Sequence, residues 1–316
     1  MKRLQVSLVL CLLVLLAGAG RAQSTATWTG LAGPTGGNYT FEQTTNWLGN
    51  VIPSSGNHLV FGPGPTTNLL LSNPFTAGDI TFSGIQNGFH LVGATTLTLT
   101  GSVTTTADSQ YWGLFSLPVS LAAGNHIYTA GGNASIYHFG AVSGTGGITK
   151  EGANGLYMTE SSTYSGGTTL NGGKLAIAYS ANDVRLGNDF VFGANIDLDT
   201  SQFVIDDEAY SLILGNSDGS TMAPVTGVTT VNFNLTGLKP VHLTGEMQDG
   251  DAATTYTFAN EAGSGGYRVS GYGNNYTGGT LVKSGAIVIF DSPGSIPLSS
   301  TITSQPDGYV GIGDPT

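Results

Sequence analysis

One motif occurs twice in this sequence, and that repetition constrains the fold more than any other feature. Residues 164–177, YSGGTTLNGGKLAI, align without a gap with residues 276–289, YTGGTLVKSGAIVI. A shorter Gly-Thr/Ser-Gly-Gly echo precedes each copy, at 144–147 and at 263–266. Internal similarity of this kind is typical of repeat proteins, in which stacked units share one core. The sequence therefore predicts shape more directly than it predicts chemistry.

Short runs of alternating apolar and polar residues predict an all-β protein. Each run fits a strand with one buried face, and Gly, Asn or Ser separates it from the next. Helical spacing of apolar residues is missing, and the frequent Gly and Thr are poor helix formers. The predicted strands include residues 59–61, 69–71, 80–82, 97–99, 119–121, 136–137, 175–177, 190–192, 196–198, 203–205, 212–214, 231–233 and 287–289.

Such strands could form an antiparallel sandwich or a parallel solenoid, and the repeat favours the solenoid. Two-residue hairpin signals are present, such as Asn87-Gly88, but Gly-Gly-Thr is what recurs. In a stack, the glycines supply positive φ at a corner and the Thr starts the next strand, while Leu175 and Ile177 face the core. Phe61 and Phe82 are 21 residues apart, which fits one complete turn of a solenoid, here called a rung.

The segment before these strands differs in composition and is interpreted as a cap. It contains four aromatic residues, Trp28, Tyr39, Phe41 and Trp47. The first rung of a solenoid exposes a core face, so aromatic residues suit a terminal cap. An aromatic platform for sugar stacking is the alternative, and it requires exposed rings.

The first 22 residues resemble an export signal. Lys2 and Arg3 precede the apolar run 8–16, and small residues lead to a preferred cleavage after Ala22. Nine apolar residues are too few to span a bilayer. The predicted organisation is a signal peptide at 1–22, a cap segment at 23–57 and a solenoid at 58–316, with repeats at about 144–178 and 263–290. The expected location is extracellular or on a bacterial cell surface.

Cysteine content and charge exclude several classes of function. The single cysteine, Cys11, leaves with the signal peptide, so the mature chain has no thiol for zinc or nucleophilic chemistry. The net charge of −11 becomes about −14 after the signal's three basic residues are removed. Nucleic acid and anionic lipid are therefore poor partners, whereas carbohydrate or a surface protein is compatible with the composition. The oligomeric state is left open.

Consecutive acidic residues offer one candidate catalytic group. Asp206 and Glu208 would share one face of a strand and Asp207 the other, which could suit glycoside hydrolysis. They follow the predicted strand 203–205, so a solvated turn is the stronger interpretation. Catalytic residues are accordingly not assigned, and this triplet is kept as the alternative.

Metal and cofactor sites are not predicted. Asp197 and Asp199, like Asp249 and Asp251, have spacing that calcium can use, but neither pair completes a known loop. The histidines lack the short spacing of a metal site and are scattered at His58, His90, His126, His138 and His242. No cofactor is expected.

The repeat residues are assigned a structural role. They are Tyr164, Gly166, Gly167, Thr168 and Gly173 in the first copy, and Tyr276, Gly278, Gly279, Thr280 and Gly285 in the second.

In order and spacing, these segments resemble the autotransporter-associated β-strand repeat of bacterial passenger domains. The resemblance covers 144–175 and 263–289 specifically, and 28–61 and 80–84 more loosely. It implies a right-handed parallel β-helix, displayed on or released from a Gram-negative-type cell, with no active site to transfer. The family's members end in a membrane barrel, whereas about 27 residues follow Ile289, too few for eight strands. The expectation is a passenger fragment, or a chain exported by another route.

Two functions follow as hypotheses from different classes. The leading one is an exported or surface β-solenoid with a structural or adhesive role. The alternative is a secreted polysaccharide-degrading β-helix enzyme, a lyase or glycoside hydrolase. It would use some of the carboxylates of Asp197, Asp199, Asp206, Asp207 and Glu208.

Overall fold

The protein is a parallel β-solenoid of about ten rungs, seen in a computed structural model. The structure describes residues 23–34, 37–63, 67–178, 183–202, 211–216, 219–260, 265–297 and 300–313. Within these ranges the only helical segments are two 3-10 turns, Thr44–Asn46 and Pro293–Ser295. None of the helices there is long and apolar enough to cross a membrane. The predicted all-β solenoid is confirmed.

Three faces run along the solenoid, and strands are numbered in chain order. In the described ranges the first face is a ten-stranded parallel sheet. Its strands are β1 (Thr25–Trp28), β3 (His58–Phe61), β6 (Ile80–Phe82), β9 (Val103–Thr105), β12 (Asn125–Ala130), β15 (Gly147–Glu151), β17 (Thr168–Leu170), β20 (Phe190–Phe192), β23 (Thr221–Pro224) and β26 (Glu246–Met247).

The second face is a twelve-stranded parallel sheet across the same described ranges. Its strands are β2 (Tyr39–Thr40), β4 (Thr67–Leu70), β7 (Phe89–Val92), β10 (Gly113–Ser116), β13 (Ile136–His138), β16 (Gly155–Met158), β18 (Lys174–Ala178), β21 (Asn195–Gln202), β24 (Thr230–Thr236), β27 (Thr255–Asn260), β29 (Gly279–Val282) and β31 (Ile302–Ser304).

The third face consists of two successive parallel sheets. The first contains β5 (Phe75–Ala77), β8 (Leu97–Leu99), β11 (Val119–Leu121) and β14 (Val142–Gly144). The second contains β19 (Val184–Leu186), β22 (Leu212–Leu214), β25 (Val241–Leu243), β28 (Tyr267–Val269), β30 (Ile287–Phe290) and β32 (Tyr309–Ile312).

Alternation of apolar and polar residues builds the core as expected. Strands such as β3 and β6 bury every second side chain, and Phe61 pairs directly with Phe82 one rung later. Their rings stack at 5.6 Å between centroids inside the solenoid. The predicted strands that fall in the described ranges are all present, and the one at 203–205 lies outside them.

The stack continues through the region where the repeat cannot be traced in the sequence. Strand β21 pairs with β18 before it and with β24 after it, and β24 pairs with β27. On the third face, Ser162 forms a parallel bridge with Leu186 where one sheet gives way to the other. The backbone N–H of Thr163 donates to the Val142 carbonyl at 2.8 Å, so this irregular rung still joins the preceding one.

The aromatic residues of the N-terminal segment are packed into the end of the solenoid. Trp28, Phe41 and Trp47 are buried, and Trp47 lies 5.2 Å from Trp28 and 5.1 Å from Phe41 between ring centroids. The indole Nε1–H of Trp47 donates to the Phe41 carbonyl at 2.8 Å. Because these rings cover the core, they do not form the exposed sugar-stacking platform offered as the alternative.

The two copies of the repeat lie on different faces. In the first copy, Gly-Gly-Thr leads into β17 on the first face, and β18 follows on the second. In the second copy, the same motif leads into β29 on the second face, and β30 follows on the third. The motif has therefore moved around the solenoid by one face between its two occurrences.

Candidate functional site

An outward-facing row of side chains on the second face forms the candidate site. Leu114 in β10 pairs with His90 in β7 on the preceding rung and with Tyr137 in β13 on the next. The core-facing neighbours in these strands, Phe115 and His138, are fully buried. Alternation therefore directs His90, Leu114 and Tyr137 to the outside of the same sheet.

The short Leu114 side chain lies between two rings and leaves a groove of about 120 Å³. The groove is lined by His90, Trp112, Leu114, Tyr137 and Phe139. Leu114 forms its floor and is 8% exposed. The site is thus an aromatic depression on an otherwise regular sheet.

Trp112 forms one wall of the groove and is held there by its neighbours. Its Nε1–H donates to Nε2 of His90 at 3.2 Å, and 38% of the residue is exposed. A Cβ at Gly88 would lie 2.5 Å from Nε1 of Trp112, so a larger residue at this position would displace the indole. Tyr111 lies beside it, 43% exposed. These contacts fix the indole at the surface.

The opposite wall is supported by a second aromatic layer. The Tyr137 ring stacks on Tyr157 of the following rung, with centroids 4.3 Å apart and planes 5° from parallel. Tyr157 is 6% exposed, and burial raises the pKa of its phenol. Tyr137 also contacts the Trp112 indole edge-on, with centroids 6.0 Å apart, and the Phe139 ring at 6.2 Å. The walls of the groove therefore contact one another.

The groove is uncharged at neutral pH. Burial lowers the pKa of His90, and the neutral ring can accept the Trp112 hydrogen bond whereas a protonated ring cannot. The other lining residues carry no ionisable acid or base except the Tyr137 phenol. Asn133 donates to Gln110 at 3.0 Å, and both residues are exposed in the segments that precede β13 and β10. The lining of the groove itself is aromatic and apolar.

The carboxylates considered for catalysis are placed differently. Asp206, Asp207 and Glu208 lie outside the described residues. Asp199 is 1% exposed and pairs with Lys174 at 2.7 Å, and Asp197 accepts a 3.4 Å hydrogen bond from Asn234.

The other acidic pair fastens neighbouring segments together. Asp249 accepts from the backbone N–H groups of Thr254 and Thr277 and from the Thr277 hydroxyl. Although burial alone would raise the pKa of Asp249, these hydrogen bonds lower it. Asp251 accepts from the backbone N–H of Gly227 at 3.1 Å. The two carboxylates thus stabilise connecting segments through hydrogen bonds to backbone N–H groups.

The histidines are dispersed over the molecule. His58 contacts the Thr81 hydroxyl at 2.9 Å, and His126 bonds the Gly101 and Ala122 carbonyls. His242 is on the third face. In the part of the chain that the structure describes, no three His, Cys, Asp or Glu side chains are grouped to hold a metal ion.

His138 is the histidine most altered by its environment. It is fully buried and stacks on Phe115 with centroids 4.7 Å apart. Among the described residues its two ring nitrogens have no hydrogen-bond partner, and neither has the hydroxyl of the nearby Tyr128. Burial lowers the pKa of His138 to about 3, so the ring is neutral inside the core.

The repeat residues assigned a structural role form two corners of the same design. Tyr164 and Thr168 share a 2.6 Å hydrogen bond, and Tyr276 shares one of 2.6 Å with Thr280. The second glycine of each pair has positive φ, and so has the later glycine of each copy. These φ values are 85° at Gly167, 111° at Gly279, 70° at Gly173 and 76° at Gly285.

The first glycine of each pair is required by close packing. A Cβ on Gly166 would lie 2.3 Å from the backbone nitrogen of Gly147, and one on Gly278 would lie 2.4 Å from the Thr254 carbonyl carbon. Each corner therefore presses directly on the preceding rung.

Sequence reasoning did not identify the aromatic groove. The signal was present in the alternation, because Tyr137 and Phe139 flank the core-facing His138. Tyr111 and Trp112 come directly before strand β10. What the sequence does not reveal is that separate rungs bring these residues together.

Comparison with known proteins gives no matching family model, no matching curated protein and no matching solved structure.

Proposed function

We propose that this chain is an exported, cell-surface β-solenoid with a structural and adhesive role, related in kind to autotransporter passenger domains. The solenoid fold and the duplicated corner motif support the passenger relationship. The apolar run at 8–16 behind Lys2 and Arg3 supports export.

One observation carries the adhesive role: the aromatic groove is open at the surface. Large exposed aromatic side chains grouped in one place are typical of binding sites rather than of chance surface composition. Trp112 and Tyr111 could have been buried like Trp28 and Trp47, yet they stay exposed. We therefore take the groove as the binding site for the adhesive partner.

Among the described residues, no pair of carboxylates is arranged as the enzymatic alternative requires. A pair of catalytic carboxylates must face each other across a substrate. Asp199 instead forms a buried ion pair and Asp197 accepts from Asn234. The other candidates, Asp206, Asp207 and Glu208, lie outside the described residues. Incubation with neutral and acidic polysaccharides should therefore release no new reducing ends and no unsaturated products.

Expression of the full chain in a Gram-negative host tests the proposal. We expect a mature protein that begins at Gln23, recovered outside the inner membrane, and cells that bind glycan-coated surfaces better than controls. A chain lacking residues 1–22 is the control and should stay in the cytoplasm without promoting adhesion. Retention of the full chain with an uncleaved N-terminus, or unchanged cell adhesion, would overturn the proposal.

A further inference from the structure

We propose that His126 is buried as a doubly protonated imidazolium that joins two rungs at the corner between the third and first faces. Loss of one proton from the ring then loosens this corner. The inference concerns the stability of the solenoid and does not depend on the proposed adhesive function.

The His126 ring lies between two backbone carbonyl groups. It belongs to β12 and is 1% exposed. Its Nδ1 is 2.6 Å from the carbonyl oxygen of Gly101, at the same corner of the preceding rung. Its Nε2 is 2.9 Å from the carbonyl oxygen of Ala122, which follows β11 in its own rung. The ring therefore connects two successive rungs through both of its nitrogens.

The two carbonyl partners fix the number of protons that the ring must carry. A carbonyl oxygen only accepts hydrogen bonds, so each contact needs an N–H on the ring. A neutral imidazole has one N–H and an imidazolium has two. A neutral His126 would leave a bare nitrogen facing a carbonyl oxygen inside the protein, and an unsatisfied buried polar group is costly. Only the imidazolium satisfies both contacts.

The following rung encloses the ring. A Cβ at Gly146 would lie 2.5 Å from Nε2 and 2.8 Å from Cδ2 of His126. Gly146 belongs to the first Gly-Thr-Gly-Gly echo, so a glycine of the echo makes room for the imidazole. Turning the ring over about its Cβ–Cγ bond would place carbons where the nitrogens are, and neither hydrogen bond would be restored.

One carboxylate lies beside the first acceptor and favours a cationic ring. Asp79 accepts from the backbone N–H of Ser102 at 2.7 Å, and its Oδ1 occupies the space that a Cβ on Gly101 would need. The third-face strands β8, β11 and β14 next to this corner carry no titratable side chain. On β12 and its partner strand β15, the titratable groups lie further along, at Tyr128, Lys150 and Glu151.

His138 is buried in the opposite state. Its ring nitrogens have no partner among the described residues, and burial lowers its pKa to about 3, so it is neutral. Its protonation on unfolding makes the protein less stable as the pH falls below the ordinary histidine pKa. The contribution of His126 has the other sign: it is complete in acid and is lost as the pH rises. A test must therefore separate the two residues.

Nitrogen NMR of the histidine rings observes the protons directly. The mature chain would be labelled with ¹⁵N and the ring signals assigned through the backbone resonances. At pH 7.5 we expect two N–H groups on His126 and one on His138. In the urea-unfolded chain at the same pH, His126 should have one N–H, because an unperturbed histidine is mostly neutral there.

A variant measures the effect on stability. His126→Gln keeps a donor group but cannot carry charge. Relative to this variant, the wild type should lose about tenfold or more of its folded-to-unfolded ratio between pH 5.5 and pH 9. His58→Gln is the matched control, because His58 contacts the Thr81 hydroxyl, which can donate or accept. His138 is present in all three chains, so its contribution cancels.

The inference is overturned by a bare ring nitrogen on His126 in the folded chain at pH 7.5. It is also overturned if the stability difference between wild type and His126→Gln does not change with pH, or if His58→Gln shows the same change. If His126→Gln does not fold, the nitrogen signals of the wild type still decide the outcome.

Discussion

The two copies of the repeat are alike at the corner and different everywhere else. Both contain a buried tyrosine bonded to a threonine four residues later, at 2.6 Å in each case. The first corner leads from the third face to the first, and the second leads onto the second face. The unit that recurs is therefore a bend in the chain and not a position on the solenoid.

The strands that follow the two echoes lie on different faces, β15 on the first and β28 on the third, and the spans after them differ in length. Seven more residues separate the echo from the tyrosine in the first copy than in the second. Ile148 of the first echo pairs with Thr168, directly after the corner. Tyr267 of the second echo pairs with Val288, one strand further along. The first copy thus returns to its starting face, whereas the shorter second copy goes from the third face to the second, so the starting face and the length together set the shift.

The strand after the corner also changes its alternation. Leu175 and Ile177 are buried as predicted, but the aligned Ile287 is 37% exposed while Val288 is buried. In the first copy Lys174 must face outward, where it pairs with Asp199. The aligned residue of the second copy is Ala286, which is small and apolar and turns inward. The two aligned strands therefore turn opposite sides of the alternation toward the core.

Truncation of the aligned apolar residues should separate the copies most strongly. Leu175→Ala is expected to lower the free energy of unfolding by about 4 kcal/mol, because it opens a cavity in the core. Ile287→Ala should cost less than about 1 kcal/mol, because Ile287 is partly in solvent. Urea unfolding followed by circular dichroism measures both. Equal losses would mean that the two strands face the core in the same phase.

Lys150 and its counterpart Val269 offer the next test, since both face the core. The Lys150 ammonium donates to the carbonyls of Glu151, Gly152 and Gly172 at 2.6, 3.0 and 3.2 Å. Burial lowers its pKa to about 8. Between about pH 8 and the ordinary lysine pKa the unfolded chain binds more protons, so the free energy of unfolding should rise with pH by about 3 kcal/mol.

The comparison of wild type with Lys150→Met isolates this contribution. Lys150→Met should lose the part of the rise in unfolding free energy between pH 8 and 10.5 that Lys150 contributes. Lys283→Met removes a half-buried lysine just after β29 and should keep that rise. Denaturant midpoints across this pH window give the difference. If the unfolding free energies of wild type and Lys150→Met changed with pH in the same way, Lys150 would not contribute to the pH dependence.

Alanine at the first corner glycine should damage both copies alike. Gly166→Ala and Gly278→Ala each place a Cβ against the backbone of the preceding rung, and we expect losses of about 2 kcal/mol. Gly172→Ala is the matched control, because a Cβ there meets nothing within 4 Å. Thermal melting ranks the three variants. A control as unstable as the corner variants would contradict the packing explanation.

Removal of the corner hydroxyl should have the smallest effect and should differ between copies. Tyr276→Phe is expected to cost about 1 kcal/mol, since a buried hydrogen bond is lost. Tyr164→Phe should cost less, because Thr168 retains Asn188 at 2.9 Å. Unfolding midpoints of the two single variants decide the order, and a larger loss in Tyr164→Phe would reverse it.

Much of the fold was predictable because many of the strands are short and alternate apolar with polar residues, as β3 and β6 do. The predicted spacing of Phe61 and Phe82 corresponds to a direct pair. The phase of β30 was not predictable, because its four residues Ile287–Phe290 are all apolar and alternation cannot select a face. The groove was not predictable either, because its ring residues come from three rungs.

The sequence by itself determined the local rules of this protein: where strands alternate, where glycine must bend the chain, and that charge is scarce. The tertiary structure decided which face each copy occupies, which apolar residues enter the core and which aromatic side chains meet at the surface. Local pattern depends on neighbours along the chain. Stacking depends on the length of each rung, and a few residues more or fewer between corners rotate everything that follows.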